Sequence, residues 1–237
     1  MGLPTEPLKA IFPIVAMNQL GSYSFLGTGF FMKKDGTFLT AKHVFADNPL
    51  HAGEYYGIVF MHEGLAVHHV SNMRFSESLD IALGQVEIEK IVDNIEHLEL
   101  AEKNAPLNQD ILTIEFSGTR NVASEAGIEI QLIPSNRKGY VIRYYTSDYP
   151  EAIPTETLDL SFPALKGASG APVIDEKDGR VIGLIVANIE RHLLPAQVER
   201  VDNGIEPKEE VRYFLPTGKA ISWKHLREFV QLISPSG

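Results

Sequence analysis

The chain has 237 residues and no cysteine, and its 31 acidic and 21 basic side chains leave a formal net charge of −10. A chain of this length buries about 70% of its unfolded surface without a disulfide or metal staple. The lack of cysteine excludes disulfides, thiolate metal sites and a cysteine nucleophile, and the acidic balance disfavours a nucleic-acid partner.

The N-terminal segment gives no targeting signal. Met1–Leu20 carries only Lys9 as a positive charge and is interrupted by Pro4, Pro7 and Pro13, so it lacks the basic head and apolar middle of a secretory signal. No apolar run approaches the roughly 18 residues of a membrane-spanning helix. We therefore expect a cytoplasmic protein without a membrane partner, with a processed secreted form as the alternative.

Short runs of β-branched and aromatic residues recur along the chain, and such runs predict strands. The predicted strands are Ala10–Met17, Ser24–Lys33, Gly36–Thr40, Gly57–Met61, Val67–Arg74, Ile81–Val86, Asp110–Phe116, Glu129–Pro134, Gly139–Tyr145, Thr157–Phe162, Pro172–Asp175, Val181–Val186 and Val211–Pro216. Asp35-Gly36 and Asp178-Gly179 are hairpin signals, because glycine tolerates positive φ. Many short strands with few helices predict an all-β barrel or sandwich.

One helix is predicted, near the C-terminus. Apolar residues recur at three- and four-residue spacing over Ser222–Ile233, which gives the helix one apolar face. Ser222 is its candidate N-cap. The polar, proline-containing segments Ser147–Glu156 and Glu199–Glu210 are predicted as loops.

Ser169 is the first candidate for chemistry, within Lys166-Gly167-Ala168-Ser169-Gly170-Ala171-Pro172-Val173. Small neighbours let the backbone turn sharply, leave the hydroxyl unshielded and let backbone N–H groups approach a substrate carbonyl. Acyl transfer needs such a nucleophile and such donors. The alternative is an ordinary small-residue turn before the following strand.

Two upstream residues could assist such a serine. His43 follows an apolar strand in Thr40-Ala41-Lys42-His43, and a serine nucleophile needs a base of this kind. Asp80 begins Asp80-Ile81-Ala82-Leu83 at the mouth of a buried strand, where it could accept the histidine Nδ1–H. Taken singly, a packed histidine and a strand-end cap are the simpler interpretations.

Gly27-Thr28-Gly29 forms half of a dinucleotide-binding fingerprint. Met32 stands where the third glycine belongs, and the segment leads into strands instead of a phosphate-binding helix. We therefore reject nucleotide binding there, and we expect neither a cofactor nor a metal.

Together, the histidine, aspartate and serine segments resemble the chymotrypsin-like (trypsin-like) serine proteases. The likeness is greatest to the cysteine-free bacterial branch that includes the HtrA-type protease domains, and we expect no PDZ domain. The family pattern T-A-x-H matches at His43, D-x-A-L at Asp80 and G-x-S-G-x-P at Ser169. The resemblance runs from about Ile11 to Ile233.

The resemblance implies a fold of two six-stranded antiparallel β-barrels with a C-terminal α-helix, forming one peptidase unit over residues 1–237. The first barrel, at about 10–118, would carry His43 and Asp80. The second, at about 119–218, would carry Ser169, and the helix and tail would occupy 219–237. Ser169 would be the nucleophile, His43 the base and Asp80 its orienting partner, with Gly167 and Ser169 N–H groups as the oxyanion hole.

Departures from the family pattern bear on regulation and specificity. Digestive members carry an aspartate directly before the serine, and after zymogen cleavage this aspartate pairs with the new N-terminal amine. Ala168 stands at this position, so we expect no activation by zymogen cleavage. Trypsin-type members carry an acid six residues before the serine, where this chain has Pro163. A preference for Lys or Arg is therefore not expected.

Matched position by position, the resemblance places Val186, Ala187 and Asn188 on one wall of the substrate pocket, with Lys166 nearby. Arg212 falls on the facing strand. An inward Arg212 would favour an acidic residue before the scissile bond, and an outward one would favour a small or aliphatic residue.

The predicted function is that of a serine endopeptidase acting on protein or peptide substrates, with a regulatory protein as a further expected partner. The alternative is a catalytically silent barrel of the same fold that serves as a binding or regulatory module. A decayed protease often loses one member of its triad, and all three residue types are present here.

Overall fold

The computed structural model describes residues 6–18, 21–46, 54–61, 64–88, 95–124, 127–147, 153–192 and 214–233. A short 3-10 helix at Pro7–Lys9 precedes the first strand. The other elements are β1 Ile11–Met17, β2 Tyr23–Phe31, β3 Thr37–Thr40, α1 His43–Ala46, β4 Tyr55–Met61, β5 Gly64–Phe75, β6 Ala82–Val86, β7 Asp110–Glu115, β8 Arg120–Ser124, β9 Gly127–Gln131, β10 Ser135–Ser147, β11 Thr155–Leu160, β12 Pro172–Asp175, β13 Val181–His192, β14 Phe214–Ser222 and α2 Trp223–Ile233.

The strands close into two antiparallel barrels, as predicted. The first has the order β1-β2-β3-β6-β5-β4 and the second the order β10-β11-β14-β13-β12-β7. Aromatic rings fill the first barrel: Phe12 stacks on Phe31 at 4.5 Å and meets the edge of Phe38 at 5.2 Å between ring centroids. The second barrel is filled by smaller aliphatic side chains, among them Ile111, Leu158 and Ile185.

Two details of strand assignment differ from the prediction. Strand β7 lies in the second barrel, so the division between the barrels precedes Asp110 instead of falling near residue 118. Strand β8 was not predicted, because Arg120–Ser124 is polar and lacks an apolar alternation. It exists as the partner of β9 in a separate two-stranded sheet.

The predicted C-terminal helix is present as α2, directly after Ser222. Its buried side chains Trp223, Leu226 and Phe229 form the apolar face, and the Arg227 guanidinium donates to the Ala101 carbonyl at 2.8 Å. The helix therefore packs against the outside of the second barrel. Within the described ranges, none of the helices has the length and apolar character needed to span a membrane.

A buried ion pair supports the end of β7. The Glu115 carboxylate is fully buried and accepts hydrogen bonds from the Arg137 guanidinium at 2.9 Å and from the Ser117 hydroxyl at 2.8 Å. Removing one partner of such a pair leaves an uncompensated buried charge, which costs far more than the pair itself contributes.

We therefore expect Arg137→Met to lower the free energy of unfolding by about 2–3 kcal/mol. The value lies below the full cost for a buried charge because the Arg137 side chain is 27% exposed. Urea unfolding of the Ser169→Ala protein, which avoids self-digestion, would measure the change. The neighbouring Lys138→Met is the control, since the Lys138 side chain that pairs with Glu176 is 71% exposed, and its loss should leave stability nearly unchanged. Equal stability of the two variants would contradict the prediction.

Candidate active site

His43 and Asp80 meet at one rim of the first barrel. Strands β3 and β6 pair through Thr40 and Ala82, so the residue segments after β3 and before β6 lie together. The Asp80 carboxylate accepts the His43 backbone N–H at 2.9 Å and lies 2.6 Å from the ring Nδ1. A carboxylate facing Nδ1 holds the ring proton there, which leaves Nε2 as the nitrogen that can accept another proton.

Ser169 reaches the same region from the second barrel, in the loop between β11 and β12. Its carbonyl accepts the Thr28 backbone N–H at 2.9 Å. A side chain at Gly170 would collide with the Thr28 carbonyl and the Thr40 hydroxyl. These contacts hold the loop from Leu165 to Ala171, here called the serine loop, against the strand end that leads into His43.

The contacts of Gly27 show how close the two segments are. A Cβ atom there would lie 3.0 Å from the Ser169 carbonyl oxygen and 2.7 Å from Val44 Cγ2, and Val44 is the residue after His43. Within the described part of the chain, the Ser169 hydroxyl forms no hydrogen bond. A bond from nucleophile to base is often long without substrate and shortens when substrate binds.

The backbone amides of the serine loop fall into two groups. Those of Ala168, Gly170 and Ala171 donate to carbonyl oxygens at 2.8–2.9 Å, whereas those of Gly167 and Ser169 have no acceptor among the described residues. Backbone N–H groups in folded proteins are nearly always paired. Two unpaired donors beside a serine are the arrangement that stabilises an oxyanion during acyl transfer.

The loop conformation depends on glycine at position 167. Gly167 has φ +96°, a region that other L-residues rarely adopt. A Cβ atom at this position would also collide with the Phe25 ring. Conformation and space therefore both require glycine two residues before the serine.

Strand β13 has an edge available to a peptide. It pairs with β14 as far as His192 but with β12 only as far as Leu184, and the Ile185 carbonyl accepts the Gly170 N–H of the serine loop at 2.8 Å. Beyond Ile185, no described strand covers this side of β13. An extended peptide can add to such an edge through main-chain hydrogen bonds.

The Asn188 side chain crosses from this edge to the chain before the serine. Its Oδ1 accepts the Ala164 N–H at 2.6 Å, and its Nδ2 donates to the Ala164 carbonyl at 2.5 Å. The amide thus joins two segments that line the expected substrate pocket.

The other predicted pocket residues differ in exposure. Val186 is buried, Pro163 and Ala187 are half-buried, and Lys166 is exposed at the surface of the serine loop. Arg212 lies outside the described residues, so its two orientations stay open as predictions.

Sequence reasoning missed the site contacts of Thr28 and Phe25. Thr28 belongs to Gly27-Thr28-Gly29, the incomplete nucleotide fingerprint. Glycine at position 27 allows close backbone approach, and here the neighbouring backbone is the serine loop. The glycine is visible in the sequence, but nothing there identifies the serine loop as the backbone that it approaches.

Comparisons with known proteins agree with this architecture. A family profile described as a trypsin-like peptidase domain matches residues 27–184. A search of curated protein sequences gives no match. Among solved structures, the active form of the Rv3671c protease from M. tuberculosis is similar, with 16% identity and a TM-score of 0.58, over 97% of this chain and 84% of that one. An inactive serine-to-alanine form of Rv3671c aligns at 16% identity and a TM-score of 0.57, over 97% and 90% of the chains. At these identities the likeness to solved structures concerns the fold.

Proposed function

The chain belongs to the trypsin-like peptidase family and is a serine protease, and we propose that it cleaves internal peptide bonds with Ser169 as nucleophile, His43 as general base and Asp80 as orienting residue. Protein or peptide substrates follow from the family. The bacterial source, the cytoplasmic location and a regulatory protein partner stay predictions.

In the proposed mechanism, Ser169 Oγ attacks the scissile carbonyl carbon while its proton passes to His43 Nε2. The carbonyl oxygen becomes an oxyanion that accepts hydrogen bonds from the Gly167 and Ser169 N–H groups. The imidazolium, stabilised by Asp80, then gives its proton to the leaving amine as the C–N bond breaks. Water, deprotonated by His43, cleaves the resulting acyl-enzyme, and the proton returns to Ser169.

The observation that carries this proposal is that the backbone N–H groups of Gly167 and Ser169 have no acceptor among the described residues. An unmade backbone hydrogen bond costs about 1–3 kcal/mol when the group is buried, so a silent barrel would gain stability by closing the loop onto itself. Keeping Gly167 at φ +96° with both donors available is consistent with a working oxyanion site and disfavours the non-catalytic alternative.

Labelling with a fluorophosphonate probe tests the nucleophile. We expect the folded protein to be labelled once, at Ser169, and the label to disappear in Ser169→Ala. Ser71→Ala, on β5 of the first barrel, is the control and should label like the unmodified protein. Persistent labelling of Ser169→Ala would refute the assignment. Absence of both labelling and cleavage of a peptide library by folded protein would favour the silent barrel.

Ala168 supports the expectation that no N-terminal cleavage is needed for activity. The residue is 1% exposed and carries no charge, so it cannot pair with an amine. The protein should therefore react with the fluorophosphonate probe as synthesised, and intact-mass measurement of the labelled species would show whether the chain had been cut.

We also propose that the residue before the scissile bond is small, because the Asn188 side chain bridges β13 to Ala164 across the expected substrate pocket. Asn188→Gly is expected to raise kcat/KM for phenylalanine at this position, relative to alanine, by about 10–100-fold. Matched peptides differing in this one residue would measure the ratio.

Asn188→Asp is the matched control for this specificity prediction. Aspartate keeps the volume of the side chain and the acceptor for the Ala164 N–H but loses the donor to the Ala164 carbonyl, so a persistent preference for alanine would assign the limit to side-chain volume. A phenylalanine-to-alanine ratio in Asn188→Gly equal to that of the unmodified protein would show that Asn188 does not limit the pocket.

A further inference from the structure

Thr28 lies in the first barrel but is bonded to the serine loop of the second. The residue is fully buried. Its backbone N–H donates to the Ser169 carbonyl at 2.9 Å, and its hydroxyl donates to the Gly167 carbonyl at 2.8 Å. The two bonds bracket Ala168, the residue between the two proposed oxyanion donors.

These bonds control the orientation of a particular peptide unit. The Gly167 carbonyl and the Ala168 N–H belong to the same planar group, since the peptide bond is planar. The carbonyl end is held by the Thr28 hydroxyl and the N–H end by the Leu165 carbonyl at 2.9 Å. Because this peptide plane is held at both ends, the orientations of the neighbouring Gly167 and Ser169 N–H groups are restricted as well.

Such a restraint is needed because the loop itself is permissive. Glycine at position 167 has wide backbone freedom, and the small side chains around the serine offer few contacts that could select one conformation. Ala168 is buried and uncharged, so no ion pair at that position can do so. The Thr28 hydroxyl is therefore well placed to select the conformation.

Thr28 is itself held in place. Its carbonyl accepts the hydroxyl of Thr40 at 2.7 Å, and Thr40 ends the strand that leads to His43. The connection from the histidine strand to the serine loop thus passes through two buried threonines. Glycine at position 27 allows the approach, because a Cβ there would lie 3.0 Å from the Ser169 carbonyl oxygen.

We propose that Thr28 is a positioning residue whose hydroxyl holds the serine loop in the conformation that directs the Gly167 and Ser169 amides at the substrate oxyanion. This inference rests on the proposed peptidase function. It assigns to Gly27-Thr28-Gly29 a role in joining the barrels and preparing the site for catalysis.

Two substitutions separate the hydroxyl from the shape of the side chain. Thr28→Val keeps the volume and removes the donor, whereas Thr28→Ser keeps the donor. We expect Thr28→Val to lower kcat about 10–100-fold, as small misplacements of catalytic groups do, with KM changed less than about threefold. Thr28→Ser should recover kcat to within about threefold of the unmodified protein. Rates are taken per active site, by titration with the fluorophosphonate probe.

Thr113→Val controls for loss of a buried threonine hydroxyl. Thr113 is fully buried on β7, and its hydroxyl has no hydrogen-bond partner among the described residues, so kcat should not change. Wild-type kcat in Thr28→Val, or a Thr28→Ser variant as slow as Thr28→Val, would overturn the proposal.

A second readout does not depend on catalysis. In the Ser169→Ala background, hydrogen–deuterium exchange of peptides covering residues 165–171 should be faster with Thr28→Val than with Thr113→Val. Equal exchange would overturn the positioning role even if the protein proved inactive. Failure of the peptidase function would instead appear as an unmodified protein that neither reacts with the probe nor cleaves peptides, whatever the exchange result.

Discussion

Asp80→Asn is expected to lower kcat about 10⁴-fold while leaving the fold intact, by analogy with the same change in a related triad. Asp80 accepts from both the backbone N–H and the ring Nδ1 of His43. Asparagine has one acceptor oxygen, and an amide NH2 facing Nδ1 would require that nitrogen to be unprotonated. The ring proton would then sit on Nε2, where it blocks transfer from Ser169.

Steady-state hydrolysis of a peptide substrate, with thermal unfolding measured in parallel, would test this expectation. Asp35→Asn is the control: Asp35 binds Thr37 in an exposed turn, and its loss should leave kcat unchanged. A kcat for Asp80→Asn within tenfold of the unmodified protein would show that Asp80 does not set the tautomer of His43.

Gly167→Ala is expected to lower kcat about 10²–10³-fold, which is the effect of losing one oxyanion donor. Alanine at φ +96° is strained, and its methyl group would collide with the Phe25 ring. Relief of the strained φ requires a change of the loop backbone, which is expected to turn the Gly167 amide away from the oxyanion. KM should change little, because the donor acts mainly on the transition state.

Gly21→Ala separates backbone strain from the effect on the site. Gly21 has φ +77°, and a Cβ there would meet nothing within 4 Å. This variant should lose some stability, by about 1–2 kcal/mol, and retain kcat. If Gly167→Ala and Gly21→Ala lost kcat equally, the effect at Gly167 would be due to general destabilisation. A normal kcat in Gly167→Ala would show that the Gly167 amide does not stabilise the oxyanion.

Local patterns in the sequence predicted most of the secondary structure. Pro172–Asp175 was predicted with the bounds that the structure shows, and the helix begins directly after Ser222. Both segments carry their signal within a few residues, as a β-branched run before an Asp-Gly turn and as an apolar face at helical spacing. Arg120–Ser124 carries no such signal and becomes a strand only because Gly127–Gln131 pairs with it.

The sequence by itself determined the all-β class, the family, and the candidates His43, Asp80 and Ser169, because strand periodicity and short motifs are local properties. Only the tertiary structure decided which amides of the serine loop lack acceptors among the described residues, that Thr28 holds the Gly167 carbonyl, and that Asn188 bonds to Ala164. Thr28 and Gly167 are 139 positions apart. A hydrogen bond between them depends on how two barrels dock, and no pattern confined to neighbouring residues reports that geometry.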